Sequence, residues 1–210
     1  MTIFNKTYKH FLFPFWRLAS FYWNSKNEHG VHSPFVFDLI TKCFNNKKKY
    51  PEYESIKQHQ KLLLKNNDSI NKTQISLKSA QFLFRLALYF KPQNSLVLQN
   101  SPNLTTFTLK IANTKAKINI ANDLEAINLL QKFNLIYFEK PLFENFELLL
   151  PTILNDSVWI FNNIHCNKVT ENTWKTIQNH PKVTVTIDTY KFGIVFFRTE
   201  QEKEHFIIRV

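Results

Sequence analysis

The sequence predicts one α/β domain, built on a mostly parallel β-sheet with helices on both faces and an antiparallel hairpin at its end. Between residues 77 and 179, short apolar runs alternate with segments of helical spacing. After residue 183, three apolar runs follow one another without a helical segment between them. The first pattern is typical of parallel strands joined by crossover helices, and the second of strands joined by tight turns. A hydrophobic content of 44% with 15% aromatic residues supports one sizeable core.

A helical extension is predicted ahead of this domain, over residues 1–75, and the domain itself over residues 76–210. Ser33 is a candidate N-cap and Pro34 suits the first helical position, which predicts a helix ending near Phe44. A second, polar helix is predicted over residues 52–65.

Within the domain, the predicted helices and strands follow the alternation. Helices are predicted over residues 77–91, 104–112, 123–132, 143–154 and 170–179. Strands are predicted over residues 96–98, 117–121, 135–138, 158–161, 183–187, 194–198 and 205–210. Of the last three strands, two form the hairpin and the third is a candidate edge strand. Pro92 and Pro181 end the helices before them, because proline cannot continue a helix.

Glycine is unusually rare, and its rarity excludes one class of function. Average usage near 7% would give about 15 glycines in a chain of this length, whereas the sequence has only Gly30 and Gly193. Because glycine alone takes a positive φ without strain, a function that depends on a glycine-rich phosphate loop is excluded. Cys43 and Cys166 stand in no metal-type spacing, and no metal site is predicted.

The net charge of +11 lies mostly in the first half of the chain. Residues 1–100 contain 15 Lys and Arg against 5 Asp and Glu, and residues 101–210 contain 12 against 11. This asymmetry predicts an acidic partner, although surplus lysine on a solvated surface gives the same count.

Residues 1–50, here called the leader, interleave aromatic and basic side chains. The leader has three interpretations: a helical lid on this domain or on a partner protein, a contact with an anionic membrane surface, or a nucleic-acid contact. The sequence shows no signal peptide and no membrane-spanning segment, so we expect a cytoplasmic protein, membrane-peripheral if the leader meets lipid.

Five segments carry a resemblance to a known family: EHGVHSPFVF (28–37), KYPEY (49–53), LFRLALYFKP (83–92), DSVWIFNNIH (156–165) and NHPKVTVTIDTYKFGIVFFR (179–198). The sequence resembles bacterial class I S-adenosylmethionine-dependent methyltransferases of the O-methyltransferase-like type, from about residue 28 to residue 210. The resemblance implies a Rossmann-like sheet with a C-terminal antiparallel hairpin. It also implies where a cofactor site is expected, and there the sequence departs from the family.

The first departure is the loop after the first strand. The family has an acidic residue and a Gly-x-x-x-Gly type loop there, whose glycines let the backbone approach the cofactor beside a helix N-terminus. In this chain Val97 replaces the acid, and Gln99 and Asn103 replace glycines. Gln99 would intrude on the cofactor, and Pro102 removes a backbone donor. Asn103 tolerates a left-handed φ and is expected to keep the turn.

The remaining departures follow the second, fourth and fifth strands of the family pattern. In the family, an acidic residue at the end of the second strand binds the ribose hydroxyls, and Asp123 comes one position after that place. The simpler interpretation of Asp123 is the N-cap of the next helix. A strand and a helix that form the adenine-side wall are missing before residue 135. Glu139 keeps the carboxylate expected after the fourth strand. Asn162 and Asn163 stand where metal-dependent relatives have a metal-binding carboxylate.

Three functions remain open from the sequence. The first is a pseudoenzyme without cofactor that acts as a protein-binding or scaffold subunit of a larger assembly. In that case the vestigial cofactor positions are Gln99, Asn103, Asp123 and Glu139. The second is an active S-adenosylmethionine-dependent O-methyltransferase with a divergent pocket, in which Asp123 or Glu139 binds the cofactor and His165 is the catalytic base. The third is a basic protein that binds RNA or a membrane surface through the leader. If the protein is a pseudoenzyme, we expect His165 to be a structural hydrogen-bonding residue.

Overall fold

The computed structural model describes seven helices and seven strands within residues 16–26, 30–66, 75–99, 103–122, 124–125, 127–140 and 142–210. The helices are α1 (16–24), α2 (Pro34–Leu39), α3 (Glu52–Asn66), α4 (Leu77–Phe90), α5 (Leu104–Ala112), α6 (Phe143–Leu149) and α7 (Lys168–Asn179). A π-helical turn (Ile40–Phe44) continues α2, and a 3₁₀ turn (Leu150–Thr152) continues α6. The strands are β1 (Asn94–Leu98), β2 (Lys117–Ala121), β3 (Leu135–Phe138), β4 (Val158–Asn162), β5 (Val185–Asp188), β6 (Phe192–Phe196) and β7 (Glu204–Ile207).

These strands form one sheet in the order β2-β1-β3-β4-β6-β5-β7. The strands from β2 to β4 pair in parallel, and β6 pairs antiparallel with both β4 and β5. β7 lies beyond β5 and parallel to it. The mostly parallel sheet with a C-terminal antiparallel hairpin, as predicted from the sequence, is therefore confirmed. Lys26 adds an isolated parallel bridge with Ile208, next to β7.

The chain passes from β2 to β3 without another strand or helix among its described residues. The helix predicted over residues 123–132 is wrong, because described residues 124–125 and 127–132 form turns and bends. The side chain of Asn128 accepts the backbone N–H of Leu130 at 3.0 Å, and such a local bond competes with a helix. β3 pairs directly with β1, which leaves β2 at the edge of the sheet. The described residues between β2 and β3 thus contain neither the strand whose loss was predicted nor the helix that was predicted to remain.

Helix boundaries follow local sequence signals. Ser33 caps α2 by accepting the N–H of Val36, and Pro34 stands in the first turn, as predicted. α4 ends at Phe90, and its C-cap residue Lys91 is left-handed at φ 48° and directly precedes Pro92. The proline and cap positions therefore explain why these helices start and end where they do.

The sheet separates two hydrophobic layers. One face packs against α2 to α5 around Val97 and Tyr137, and the opposite face packs against α6 and α7 around Phe161 and Trp174. The indole of Trp174 lies directly on Gly193, where an added Cβ would be 2.6 Å from the ring. Position 193 therefore requires glycine, because the Trp174 ring leaves no room for a Cβ atom. Among the described residues, no helix is both long and apolar enough to cross a membrane.

Candidate functional site

Strands that run in the same direction end at one edge of the sheet, here called the carboxyl edge. β1, β3, β4 and β5 share one direction. Gln99 and Glu139 directly follow β1 and β3, whereas Asn162 and Asp188 end β4 and β5. In open α/β sheets, ligands bind in the crevice outside the carboxyl ends of the strands. The predicted site residues Gln99, Glu139 and His165 therefore lie at the edge where this fold places its sites.

Gln99 is buried at the end of β1. Its backbone N–H donates to the carbonyl of Ala121 at 3.0 Å, which continues the pairing with β2. Its side chain is 5% exposed, and neither the amide oxygen nor the amide nitrogen has a hydrogen-bond partner among the described residues. The Gln99 side chain thus fills space inside the domain, and its two polar atoms bond to none of the described residues. Pro102 lies outside the described residues.

Asn103 is the N-cap of α5. Its side-chain oxygen accepts the N–H of Thr105 at 2.8 Å, and its own N–H donates to the hydroxyl of Thr106 at 3.0 Å. The left-handed turn expected at Asn103 is wrong, because its φ is −146° and its backbone is extended. An N-cap residue needs an extended backbone to present its side chain to the first turn. The reciprocal bonds therefore occupy helix-start donors that a ligand would otherwise use.

Glu139 is the carboxylate nearest the centre of the carboxyl edge. One of its oxygens accepts the Asn162 amide at 3.3 Å, and the other has no partner among the described residues. Burial raises the pKa of Glu139 to about 7, against a smaller opposing effect of the Asn162 hydrogen bond. The hydroxyl of Tyr137 faces Glu139 and Thr105 without a hydrogen bond of good geometry to any described residue, and burial raises the pKa of Tyr137 well above its usual value. Glu139 can therefore carry or release a proton near neutral pH.

The residues around Glu139 make a poor cation site. Asn162 is 3% exposed and supplies an amide, and Asn163 adopts a left-handed φ of 54° with its N–H donated to Lys191. No group of three His, Cys, Asp or Glu that could hold a metal occurs among the described residues. A hard divalent cation prefers several carboxylate oxygens, and Glu139 is the one carboxylate that is hydrogen-bonded to Asn162 among the described residues.

His165 has an acidic partner that the sequence interpretation did not identify. Its Nε2 lies 2.6 Å from Oδ2 of Asp188, and both side chains are buried. The other Asp188 oxygen accepts the N–H of Tyr190 at 2.8 Å, and the Tyr190 ring lies 5.4 Å from the imidazole. A carboxylate that holds one imidazole nitrogen orients the ring, which suits either a general base or a structural lock.

The structure brings some predicted residues together and separates others. Gln99 and Glu139 follow the paired residues Leu98 and Phe138, so they are neighbours on adjacent strands. Asp123 lies outside the described residues. The sequence interpretation missed Tyr137 and Asp188. Asp188 could have been identified, because it is an acidic residue at the end of an apolar strand.

A groove of about 430 Å³ lies beside β2. It is lined by His59, Leu63, Asn103, Thr106, Phe107, Lys110, Ala116, Ile118 and Ile120. The His59 imidazole stacks on Phe107 with ring centroids 3.9 Å apart, and burial lowers the pKa of His59. The groove therefore combines apolar side chains with polar ones, among them one lysine.

The backbone on the outer side of β2 bonds to no strand that the structure describes. The N–H of Lys117 and the carbonyl of Ala121 bond towards β1. Since backbone groups alternate along a strand, the N–H and C=O groups of Ile118 and Ile120 point away from β1. No described strand pairs with that side.

Comparison with solved structures shows the fold. The S-adenosylhomocysteine-bound methyltransferase PaMTH1 of Podospora anserina matches with a TM-score of 0.60 and 9% identity, over 80% of this chain and 97% of that one. The O-methyltransferase TomG of Streptomyces achromogenes, which is involved in tomaymycin synthesis and was solved with S-adenosylmethionine, matches with a TM-score of 0.51 and 10% identity, over 72% and 91%. Cofactor-bound Rv0187 from MTB matches with a TM-score of 0.51 and 10% identity, over 78% and 95%.

No protein-family model matches the sequence, and neither does any curated protein. At these identities the structural matches establish the fold alone, which is that of S-adenosylmethionine-dependent methyltransferases.

Proposed function

We propose that this chain is a non-catalytic protein of the methyltransferase fold, which binds no S-adenosylmethionine and acts by binding a protein partner. The observation that carries the proposal is the bare edge at β2. In the family that the sequence resembles, a further strand and helix beyond the second strand form the adenine-side wall. Here β3 pairs with β1, β2 ends the sheet, and an open groove lies beside it.

The end of β1 supports the same conclusion. A cofactor in this fold needs close approach to the backbone after the first strand and free donors at the following helix. Gln99 follows β1 directly and is buried, and we infer that its side chain blocks that approach. The capping box of Asn103 and Thr106 uses donors at the start of α5. The cofactor would lose contacts on both its methionine side and its adenosine side.

The β2 groove favours an extended protein segment as the partner. An unpaired strand edge binds a peptide by adding a strand, with main-chain bonds for affinity and alternate side chains for specificity. The outward groups of Ile118 and Ile120 supply those bonds, and their side chains line the groove. Lys110 also lines the groove, and Lys115 and Lys117 are exposed at the start of β2. We therefore infer an acidic extended segment with alternating apolar side chains.

Calorimetric titration with S-adenosylmethionine and S-adenosylhomocysteine tests the first part of the proposal. We expect no heat of binding up to about 1 mM ligand, since that limit corresponds to only about 4 kcal/mol of binding free energy. A dissociation constant in the micromolar range would contradict the proposal. In that event, loss of the signal in Glu139→Ala would locate the ligand at the carboxyl edge.

A displayed library of random ten-residue peptides tests the second part. We expect selection to enrich peptides in which acidic and apolar residues alternate. Ile120→Pro should reduce their binding at least tenfold, because it removes an outward N–H without breaking a bond to β1. Ile120→Ala keeps that N–H and is the matched control for the lost side chain. Absence of enrichment, or equal binding by both variants, would argue against strand addition at β2.

One observation favours an active methyltransferase as the second candidate function. Buried polar atoms of Gln99, Tyr137 and Glu139 lack partners among the described residues and lie at the carboxyl edge. A bound ligand would supply such partners. In that enzyme Glu139 would bind the cofactor and His165, oriented by Asp188, would accept a proton. The calorimetric titration separates the two candidates.

A further inference from the structure

Two grooves share the β5–β6 turn as a wall. One of about 300 Å³, here called the α4 groove, lies between α4 and that turn. The other, of about 480 Å³ and here called the α1 groove, lies between α1 and the same turn. Thr189, Lys191 and Val210 line both grooves, so the two adjoin. The turn follows the carboxyl end of β5, and ligands of open α/β sheets bind outside the carboxyl ends of the strands.

Four cationic side chains line the two grooves, and no Asp or Glu is among the described residues that line them. Lys78 and Arg85 line the α4 groove, Arg209 lines the α1 groove, and Lys191 lines both. Lys78, Lys191 and Arg209 are exposed. None of the four makes an ion pair with a described residue. The adjoining grooves therefore present side chains of one charge sign.

The neighbouring acid does not neutralise these cations. Asp188 directly precedes the shared wall, but it is buried and is bonded to His165 and to the N–H of Tyr190. A free carboxylate at Val210 would offset one of the four cations and leave the surface positive. A concave surface lined by one sign of charge concentrates ligands of the opposite sign, so the grooves favour an anionic ligand.

Arg85 is fixed beside the α4 groove by neutral partners only. Its Nε donates to the carbonyl of Cys43 at 3.2 Å, its Nη1 to the hydroxyl of Tyr53 at 3.3 Å, and its Nη2 to the carbonyl of Phe44 at 3.5 Å. A guanidinium has five N–H donors, so two of them make no hydrogen bond to a described residue. Arg85 is half-buried, and a cation that is partly removed from water is stabilised by a counter-charge.

An exposed aromatic ring stands beside two of these cations. Tyr22 is 52% exposed and lines the α1 groove with Lys191 and Arg209. Its inner neighbour Phe21 is 7% exposed, and Phe21 meets Tyr22 edge-on with ring centroids 5.8 Å apart. Phe21 meets Tyr190 edge-on in the same way at 5.4 Å. The ring of Tyr22 is therefore supported from the domain side while about half of the residue remains exposed.

We propose that the α4 and α1 grooves together bind single-stranded nucleic acid. Sites of this kind combine a basic groove that follows the phosphates with aromatic rings on which bases stack. The four cations supply the phosphate contacts, and Tyr22 supplies the stacking ring. An acidic protein segment would meet the same cations but has no flat base to stack on Tyr22. A concave site also suits a flexible strand better than a flat membrane.

This inference goes beyond the function proposed at β2. The grooves adjoin the turn between β5 and β6, whereas β2 forms the far edge of the sheet. Either site can therefore fail its test without affecting the other.

Fluorescence anisotropy of a labelled oligothymidylate of about 12 nucleotides, titrated with the full chain, tests the proposal. With one phosphate contact for each of the four cations, the slope of log affinity against log salt is about −0.7 for each contact. We therefore expect binding to weaken roughly 50-fold between about 50 and 200 mM salt. Absence of binding at the lower salt concentration would overturn the proposal.

Lys78→Gln with Lys191→Gln removes one cation from each wall of the α4 groove. We expect binding to weaken at least about tenfold and the salt slope to fall by about 1.4, since two phosphate contacts are lost. The melting temperature should not change, because both side chains are exposed. The matched control is Lys61→Gln with Lys65→Gln, which removes the same charge from exposed positions of α3 outside both grooves. Equal losses in the two variants would show attraction to net charge alone and overturn the site.

Tyr22→Leu tests the stacking contact. It removes the ring but keeps an apolar side chain, so we expect at least about fivefold weaker binding with an unchanged salt slope. Trp23→Leu is the control, because Trp23 is 91% exposed on the same helix but lines neither groove, and it should bind like the parent chain. Equal binding by Tyr22→Leu and the parent chain would overturn the proposal. A polyglutamate peptide that displaces the oligonucleotide equally well, charge for charge, would assign the grooves to an acidic protein segment instead.

Discussion

The two halves of the carboxyl edge treat their buried polar groups differently. In the half formed by β1, β2 and β3, Gln99 makes no side-chain hydrogen bond to a described residue, and Glu139 makes one long bond. In the half formed by β4, β5 and β7, His165 pairs with Asp188 at 2.6 Å. The first half ends in the open edge at β2, and the second is flanked by β7 and the bridge at Lys26.

This difference indicates that the buried polar groups have different roles. Removing one partner of a buried pair leaves the other unsatisfied and destabilises the fold, whereas removing a buried polar group that already lacks a partner does not. We therefore expect apolar or neutral substitutions to destabilise the β4–β5 half and to stabilise the β1–β3 half. The following predictions test that contrast, beginning with the largest expected effect.

Gly193→Ala should produce the largest loss of stability, in the closely packed half. The added Cβ would lie 2.6 to 2.8 Å from three carbons of the Trp174 ring, and the buried indole cannot move without disturbing its own packing. We expect a loss of about 3 kcal/mol or more in the free energy of unfolding, measured in urea. Gly30→Ala is the control, because its nearest neighbour is the flexible Lys26 side chain at 3.2 Å. Equal effects at both glycines would contradict the close approach.

Asp188→Ala should destabilise the same half by breaking a buried network. The change removes the acceptor of His165 and the acceptor of the Tyr190 N–H. We expect a loss of about 3 kcal/mol in urea unfolding, since the partner is left buried and unpaired. In a double-mutant cycle with His165→Ala, the two losses should not add. Additive losses would show that the two side chains are not coupled.

Glu139→Gln should act in the opposite direction and only at higher pH. Burial raises the folded-state pKa of Glu139 to about 7, above the ordinary value of 4.5, so the ionised side chain costs stability in the fold. That cost is absent below pH 4.5, grows as the pH rises towards 7, and is complete above it. We expect the variant to be more stable by roughly 2 kcal/mol at pH 8 and equal to the parent at pH 4. Melting temperatures across this range provide the measurement, and a pH-independent difference would contradict it.

Gln99→Met should give a smaller stabilisation in the β1–β3 half. Methionine has nearly the shape of glutamine but lacks the two polar atoms that have no described partner. We expect a gain of about 1 kcal/mol in urea unfolding. Gln178→Met on α7, where the amide contacts the Thr186 hydroxyl at 3.5 Å, is the control and should give no gain. Destabilisation at Gln99 would show that its amide is bound in solution.

The sequence predicts most of the fold because its strongest signals are local. Ser33 with Pro34 places the start of α2, and Pro92 the end of α4. The helix predicted over residues 123–132 failed because the Asn128 side chain bonds to a nearby backbone N–H. Helical spacing alone does not reveal such competition.

The site was less predictable because its contacts join distant segments. Glu139 and Gln99 could be located from strand ends, since those ends share one edge. The pairing of His165 with Asp188 depends on β6 lying between β4 and β5, a strand order that neither residue's neighbours encode. The same applies to Asn103, whose extended φ is set by its capping bonds.

The backbone hydrogen bond between Lys26 and Ile207 joins the segment after α1 to the last strand, so the first and last described elements of the chain are in contact. Release of β7 would also free one end of α1, so the two elements are expected to open together as one cooperative unit. Any interaction that stabilises α1 would then also stabilise the far edge of the sheet against local unfolding. The order of α1 and the rigidity of the C-terminal strand are in this way thermodynamically linked.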